Sequence, residues 1–341
     1  MPNKTITIAL AGNPNSGKTT IFNNLTGARQ HVGNYPGVTV ERKEGRVIYG
    51  GYDIKVIDLP GTYSLTAYSP DELVARNVLI EEKPDVVVNI VDASNLERNL
   101  YLTTQLKELE VPLVLVLNMM DIAEKSGMKI DINLLSQLLG APIVTVIGTK
   151  NQGTVDILKA VLDTYEGRIK LTSRTVRYHH EVEDELTVLQ NTLADQVVKM
   201  KVAAGTAGSY MVQPSYPLRW VAVKLLENDR EIINKVNSWP GSDKIMAAVK
   251  KSRDRIREIL QDDPELVVVD GRYGFIRGAC QEAVTFSGTN QITTTEIIDK
   301  VLLNRVLALP IFLGIMWLLF QLTFTLGAPP TERIEAGFAA L

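Results

Sequence analysis

The 341-residue chain is too long for one small domain and leaves room for two or more units, each with its own core. A formal net charge of -3 and a pI near 5.8 exclude a broad basic surface for nucleic acid, while 45% hydrophobic and 22% charged residues make an ordinary globular balance. A single cysteine, Cys280, excludes an internal disulfide framework and fits a reducing compartment.

The opening "MPNKTITIALAG" is too short in apolar length for a signal peptide and predicts a first strand over Thr5 to Ala11. Four more β-branched runs follow: Asp53 to Leu59, Asp85 to Ala93, Pro112 to Met119 and Pro142 to Gly148. Helical patterns separate most of them. Strands alternating with helices predict an α/β domain over 1–167, a mostly parallel sheet with helices on both faces.

From residue 168 to 265 the pattern changes. Val182, Leu186, Leu189, Leu193 and Val197 recur at the spacing of one helix face, and "LRWVAVKLLE" and "IMAAVKKSRDRIREIL" are also helical. This predicts a small all-α domain, with "AAGTAGSYMVQPSYP" (Ala203 to Pro217) as a loop rich in breakers. Residues 266–305 read as a linker. No charge falls between Arg305 and Glu332, and the first two thirds of that stretch are strongly apolar. About 20 apolar residues cover a hydrocarbon core of about 30 Å, so 306–327 is expected to be a C-terminal transmembrane helix. Pro310 and Gly314 are common residues in such helices, and Lys300 and Arg305 before the span favour a cytoplasmic N-terminal side.

Chemistry concentrates in "GNPNSGKTT". Gly12-Asn13-Pro14-Asn15-Ser16-Gly17-Lys18-Thr19 satisfies G-x-x-x-x-G-K-[ST] between a predicted strand and a helical pattern that begins with Thr19 and Thr20. Glycines let backbone N–H groups face phosphates, Lys18 neutralises their charge, and the Thr19 hydroxyl suits Mg²⁺. "DLPG" (Asp58, Leu59, Pro60, Gly61) ends a strand: Asp58 can hold Mg²⁺ through water and the Gly61 N–H can meet a γ-phosphate, although a type II turn is an alternative reading. Between them, Gly37, Val38 and Thr39 form a candidate switch, with Thr39 closing on Mg²⁺ when a γ-phosphate is present, or serving only as a strand-edge threonine.

"NMMD" (Asn118, Met119, Met120, Asp121) is similar to the N-K-x-D element of GTPases, with Met119 in place of the usual lysine. A carboxylate there can accept from the N1–H and exocyclic amine of guanine, and a site built on such bonds rejects other bases because its polar groups stay unpaired. Asp121 as a plain helix cap is the competing reading. "GTKNQG" (Gly148, Thr149 onward) stands where a guanine-contacting loop belongs; any contact there comes from backbone. His31, His179 and His180 do not form a metal set: the adjacent pair diverges on a helix and no cysteine is near.

The order of these elements is that of a small P-loop GTPase. "GNPNSGKTTIFNNLTG", "NYPGVTVE" and "DLPGTYSL" together resemble the G domain of the ferrous iron transport protein B (FeoB) family. "YPLRWVAVKLLEND" resembles its helical domain, and "RYGFI" and "RVLALPIFLGIMWLLFQLTF" its passage into the membrane, so the resemblance covers essentially the whole chain. It implies GTP and GDP as ligands with Mg²⁺, Fe²⁺ as the transported substrate, and an inner cell membrane location with cytoplasmic N-terminal domains. It implies a lipid bilayer around the span and no nucleic acid, and leaves room for a small cytoplasmic accessory protein and a homo-oligomer. It also implies K⁺ bound beside the phosphates with help from Asn15, whose other role would be to shape the loop. Lys18, Asn15, Thr39 and Gly61 are then the residues expected to carry hydrolysis. Where many GTPases place a water-orienting glutamine after D-x-x-G, this chain has Thr62, so slow intrinsic hydrolysis is expected. The family's membrane part has further spans, so 328–341 is expected to be the truncated start of that part, and the iron ligands to lie beyond it.

Two other functions fit parts of the pattern. A soluble GTPase of ribosome assembly would need an RNA-binding appendage and no span. A membrane-tethered switch without transport would need no further spans.

Overall fold

The computed structural model describes residues 4–27, 30–35, 38–66, 68–169, 171, 175–207, 216–287 and 308–339, with backbone alone for 199–207 and 326–339. The chain divides into two compact units, 1–287 and 288–341.

The first unit is built on a seven-stranded sheet, ordered β2-β3-β4-β1-β5-β6-β8. Strands β1 (Lys4–Gly12), β4 (Tyr52–Asp58), β5 (Val86–Asp92), β6 (Leu113–Asn118) and β8 (Ile143–Thr145) are parallel and coincide with the five apolar runs. Their continuous burial is what strands covered on both faces require. On one face Ile6, Ile8 and Leu10 pack with Phe22 and Leu25 of α1 (Lys18–Thr26) and Ile157 and Val161 of α6 (Thr154–Tyr165). On the other, Ala9 and Ala11 join a core with Leu100 and Leu106 of α3 (Leu96–Glu108) and Leu135 and Leu139 of α5 (Ile132–Leu139).

Two edge strands, β2 (Gln30–Asn34) and β3 (Glu41–Tyr49), run antiparallel. They lacked an apolar signal because β2 is exposed throughout and only Gly45 of β3 is buried. Cross-strand charges hold β3 to β4, including Lys55 to Glu44 at 2.9 Å and Arg46 to Asp53 at 2.9 Å.

The α-helical part follows. In α7 (His180–Ala207), Val182, Leu186, Leu189, Leu193 and Val197 are all buried, on a helix that packs against α8 (Leu218–Leu226) and α10 (Ser242–Leu260). Helix α7 takes in Ala203–Ala207, expected as loop: three alanines, the strongest helix formers, outweigh Gly205 and Thr206. The rest of that loop lies mostly outside the described residues. After α9 (Arg230–Asn237), a second correction falls on 266–305. Its first part is no linker but helix α11 (Pro264–Ala283), packed on α3 and α5. Gly271 in this helix allows a close approach: a Cβ on it would stand 2.6 Å from the Tyr178 ring. Beyond α11, β9 (Val284–Phe286) pairs with β7 (Met128–Ile130).

Buried ion pairs tie α11 and α8 to the α/β part. Arg272 holds Glu108 through two bonds of 2.8 Å and also bonds Glu227, which pairs with Lys224 at 2.8 Å. Arg76, on α2 (Pro70–Asn77), reaches the buried Asp229 at 2.7 Å.

In the second unit, α12 (Ala308–Ala339) contains an 18-residue stretch, Ala308–Thr325, of mean hydropathy 1.8, long and apolar enough to cross a membrane. Residues 306 and 307 of the expected span, and the linker from 288, lie outside the described residues.

Candidate functional site

Five parallel strands end along one edge of the sheet. Strand β1 lies between β4 and β5, the switch point where open α/β sheets bind ligands beyond the strands' carboxyl ends. From β1 the chain turns through Gly12-Asn13-Pro14-Asn15-Ser16-Gly17 into α1, which begins at Lys18. The Ser16 N–H donates to the Asn13 carbonyl at 3.2 Å, closing the turn. Gly17 has φ of +87°, and a Cβ on it would lie 2.1 Å from the Asn118 amide nitrogen, so no other residue fits. Asn15, exposed with Pro14, has φ of +67°, a conformation asparagine accepts better than most residues. Inside the loop the Ser16 hydroxyl and the Asn13 side-chain oxygen are buried with no hydrogen-bond partner among the described residues.

Lys18 and Asp58 form an ion pair. Asp58 is the last residue of β4, in register with Leu10 of β1, so the sheet itself sets it beside the loop. Burial pushes its carboxyl above the ordinary value, against the Lys18 charge, which pulls it down. The segment after it is stitched to β1: Leu59 N–H donates to Leu10 at 3.0 Å and Thr62 N–H to Gly12 at 3.2 Å. Gly61 consequently lies against Pro14. Thr62 is buried, and Tyr63 carries Arg98 over its ring at 4.5 Å. No side-chain amide stands at the position after Gly61.

Thr19 is exposed and Thr20 half-buried at the start of α1. Val38 and Thr39 are exposed where the chain approaches β3, and Thr39 makes no bond to the loop among the described residues; Gly37 lies outside them. Val38 and Thr39 are thus not drawn into the site.

The far side is tightly joined. Asn118 ends β6, buried, and its amide donates to the Ser16 carbonyl at 2.9 Å while its oxygen accepts the Gly148 N–H at 2.9 Å. One side chain therefore fastens the first loop to the last. Met119 turns with φ of +61° to start α4 (Met120–Lys125), where Met120 is half-buried. Asp121 sits within the first turn, not at the N-cap, and its partner is the Lys150 ammonium at 3.4 Å. The capping alternative does not hold. Gly148 is buried, Thr149 exposed, and the Gly148 carbonyl accepts from the Asn24 amide at 2.8 Å. Asn24 was missed by motif reasoning. Its sequence signal is faint: paired asparagines inside a nine-residue helix, where asparagine is a weak former.

The arrangement offers a cradle of backbone donors, the Lys18 ammonium, the Thr19 hydroxyl and the Asp58 carboxylate. Such hard oxygen donors suit Mg²⁺. A second carboxylate, Asp121, stands at the loop pinned to the cradle.

Two family models match: "Ferrous iron transport protein B" over residues 6–161 and "FeoB cytosolic helical domain" over 178–285. The chain is 38% identical over 342 residues to the Fe(2+) transporter FeoB of Escherichia coli (strain K12), covering 99% of this chain and 41% of that protein. It is 44% identical over 337 residues to the Fe(2+) transport protein A/Fe(2+) transporter FeoB fusion protein of Porphyromonas gingivalis, covering 97% of this chain and 38% of that one. It therefore spans about two fifths of these relatives' length. A GDP-bound mutant of the S. thermophilus FeoB G-domain superposes with TM-score 0.70 at 36% identity, covering 82% of this chain and 100% of that structure. The apo cytosolic domain of the T. maritima FeoB iron transporter gives TM-score 0.67 at 33% identity, with 82% and 100% covered. With family models matching over 6–161 and 178–285, the fold is that of a P-loop GTPase joined to a helical domain, and the chain belongs to the ferrous iron transport protein B (FeoB) family.

Proposed function

We propose that this chain binds GTP and GDP with Mg²⁺, hydrolyses GTP to GDP and phosphate, and controls Fe²⁺ passage through the membrane part of a longer transporter. The observation that carries the nucleotide reading is Asn118, which locks a phosphate-type loop to the turn beside Asp121. The GDP-bound state of the S. thermophilus relative supports the same ligand here.

In this reading Lys18 leaves Asp58 for the β- and γ-phosphates, and the freed Asp58 carboxylate, through water, and the Thr19 hydroxyl would hold Mg²⁺. Mg²⁺ supplies neutralisation of the phosphate charge. Residues Gly12 to Thr20 wrap the phosphates with backbone N–H groups. Gly37, Val38 and Thr39 swing in when a γ-phosphate is present, and the Gly61 N–H meets that phosphate. Leu59 and Pro60 set its approach. Asn118 to Asp121, Gly148 and Thr149 form the base pocket, with Asp121 exchanging Lys150 for the N1–H and 2-amino group of guanine. Because Thr62 offers no amide, hydrolysis is slow, and Asn15 would help to hold K⁺, which would supply stabilisation of transition-state charge.

The remaining assignments rest on the family. We assign the domain limits 1–167 for the G domain, 168–287 for the helical part and 306–327 for a span in the inner cell membrane, with the N-terminal parts cytoplasmic. The fused relative from Porphyromonas gingivalis supports a small accessory protein as partner. The test is uptake of labelled Fe²⁺ by cells that lack other ferrous importers and carry the intact gene or its Lys18→Ala form. Uptake that disappears with Lys18→Ala is the expected result; equal uptake would separate the loop from transport.

A further inference from the structure

The last loop is held at Gly148 by two asparagines from different elements. Its N–H is taken by Asn118 from β6, and its carbonyl accepts from Asn24 of α1 at 2.8 Å and from the Asn151 N–H at 3.1 Å. The Lys150 N–H is used by Ile147 at 3.0 Å. Among residues 148–151 this leaves the Thr149 N–H as the backbone donor that none of these bonds occupies. Thr149 is exposed while Gly148 is buried.

Guanine carries an acceptor, O6, where adenine carries an amino donor. A peptide N–H selects between them only if its direction is fixed, because a peptide that can rotate loses the penalty for the wrong base. The direction of the Thr149 N–H follows from the peptide plane that joins Gly148 to Thr149. That plane contains the carbonyl Asn24 grips. We infer that Asn24 is a positioning residue for base selection: by holding the Gly148 carbonyl it aims the Thr149 N–H at guanine O6. This rests on the reading that the site binds guanine nucleotides. It assigns the two halves of base recognition to different supports, O6 to Asn24 through the last loop, and the N1–H and 2-amino group to Asp121. It also accounts for an asparagine in the last turn of a nine-residue helix, where its propensity is poor.

The test uses the full chain in detergent micelles, in wild-type, Asn24→Ala and Asn24→Asp forms. Each is titrated by competition against a fluorescent GDP with GDP, 6-thio-GDP and IDP. 6-Thio-GDP replaces O6 with a weaker acceptor and keeps N1–H and the 2-amino group; IDP keeps O6 and lacks the 2-amino group. The wild type is expected to prefer GDP to 6-thio-GDP. Asn24→Ala is expected to bring that ratio about threefold or more nearer to one, the scale of one neutral hydrogen bond. Asn24→Asp, which keeps the size but turns an acceptor toward the carbonyl, should go further. The GDP to IDP ratio should stay within about twofold in all three. An unchanged GDP to 6-thio-GDP ratio in both variants would overturn the inference. So would a parallel fall of both ratios with a lowered melting temperature, the pattern of a loop merely loosened. A wild type that prefers neither GDP nor 6-thio-GDP shows no O6 readout and also rejects it. A wild type that binds no guanine nucleotide rejects the underlying function, and the inference with it.

Discussion

Lys18 and Asp58 are ion-paired across the mouth of the loop, with side chains only 10% and 7% exposed. Each is the partner the other needs when no phosphate or metal is present, since a buried charge left alone is costly. Nucleotide therefore exchanges one pairing for another. Lys18→Met should weaken GDP binding about 10- to 100-fold, the 1.5–3 kcal/mol scale of a charge-assisted hydrogen bond. It should also push the Asp58 carboxyl further up, because burial already raises it and Lys18 is the main opposing charge. Calorimetric titration with GDP and NMR titration of the carboxyl check the two effects.

Asp121 and Lys150 lie 3.4 Å apart at the rim of the proposed base pocket. Asp121→Asn replaces an acceptor-only carboxylate by an amide that can donate. GDP affinity should fall about 100-fold or more, as two hydrogen bonds are lost at once. XDP, whose C2 oxygen accepts from an amide, should gain. Competition titration with the two nucleotides measures the exchange.

Asn15 stands with φ of +67° at the exposed tip of the loop. Asn15→Gly tolerates that backbone but removes the side-chain oxygen. Phosphate release from GTP should be faster in KCl than in NaCl for the wild type, by about tenfold or more if the ion acts as a transition-state charge. Asn15→Gly should respond equally to both salts while retaining GDP binding. A variant that keeps the K⁺ response would leave Asn15 as a shaper of the loop alone.

Glu227 sits between Arg272 and Lys224 in the buried network. Burial alone would raise its carboxyl, but the two cations outweigh that and bring it down to about 2, from 4.5 for an isolated glutamate. Because the folded value is the lower one, this stabilisation is fully present above about pH 4.5 and is lost as pH falls toward 2. Glu227→Gln should destabilise the protein by about 3–5 kcal/mol at neutral pH, since it leaves buried cations undercompensated. It should also flatten the acid limb of the stability profile. Urea unfolding at a series of pH values measures both.

Much of this was legible because the chemistry is local. Five strands show as β-branched runs since both faces of a parallel sheet are buried, and the loop from Gly12 to Thr19 shows because phosphate binding demands its spacing. Strands β2 and β3 were not legible: β2 is exposed throughout, and β3 is held to β4 by cross-strand charges that only pairing brings together. Helix α11, expected as linker, is packed on α3 and α5, partners far away in sequence. Asn24 and Gly148 meet across 124 residues, and no local pattern announces such a bond.

The central claim is that the site takes a guanine nucleotide. Calorimetric titration of the full chain with GDP and with ADP, each with Mg²⁺, tests it most directly. The account predicts saturable 1:1 binding of GDP and an affinity for ADP lower by about 10³-fold or more, because adenine would leave Asp121 and the last loop unpaired. Equal binding of the two nucleotides, or none of GDP, would contradict it.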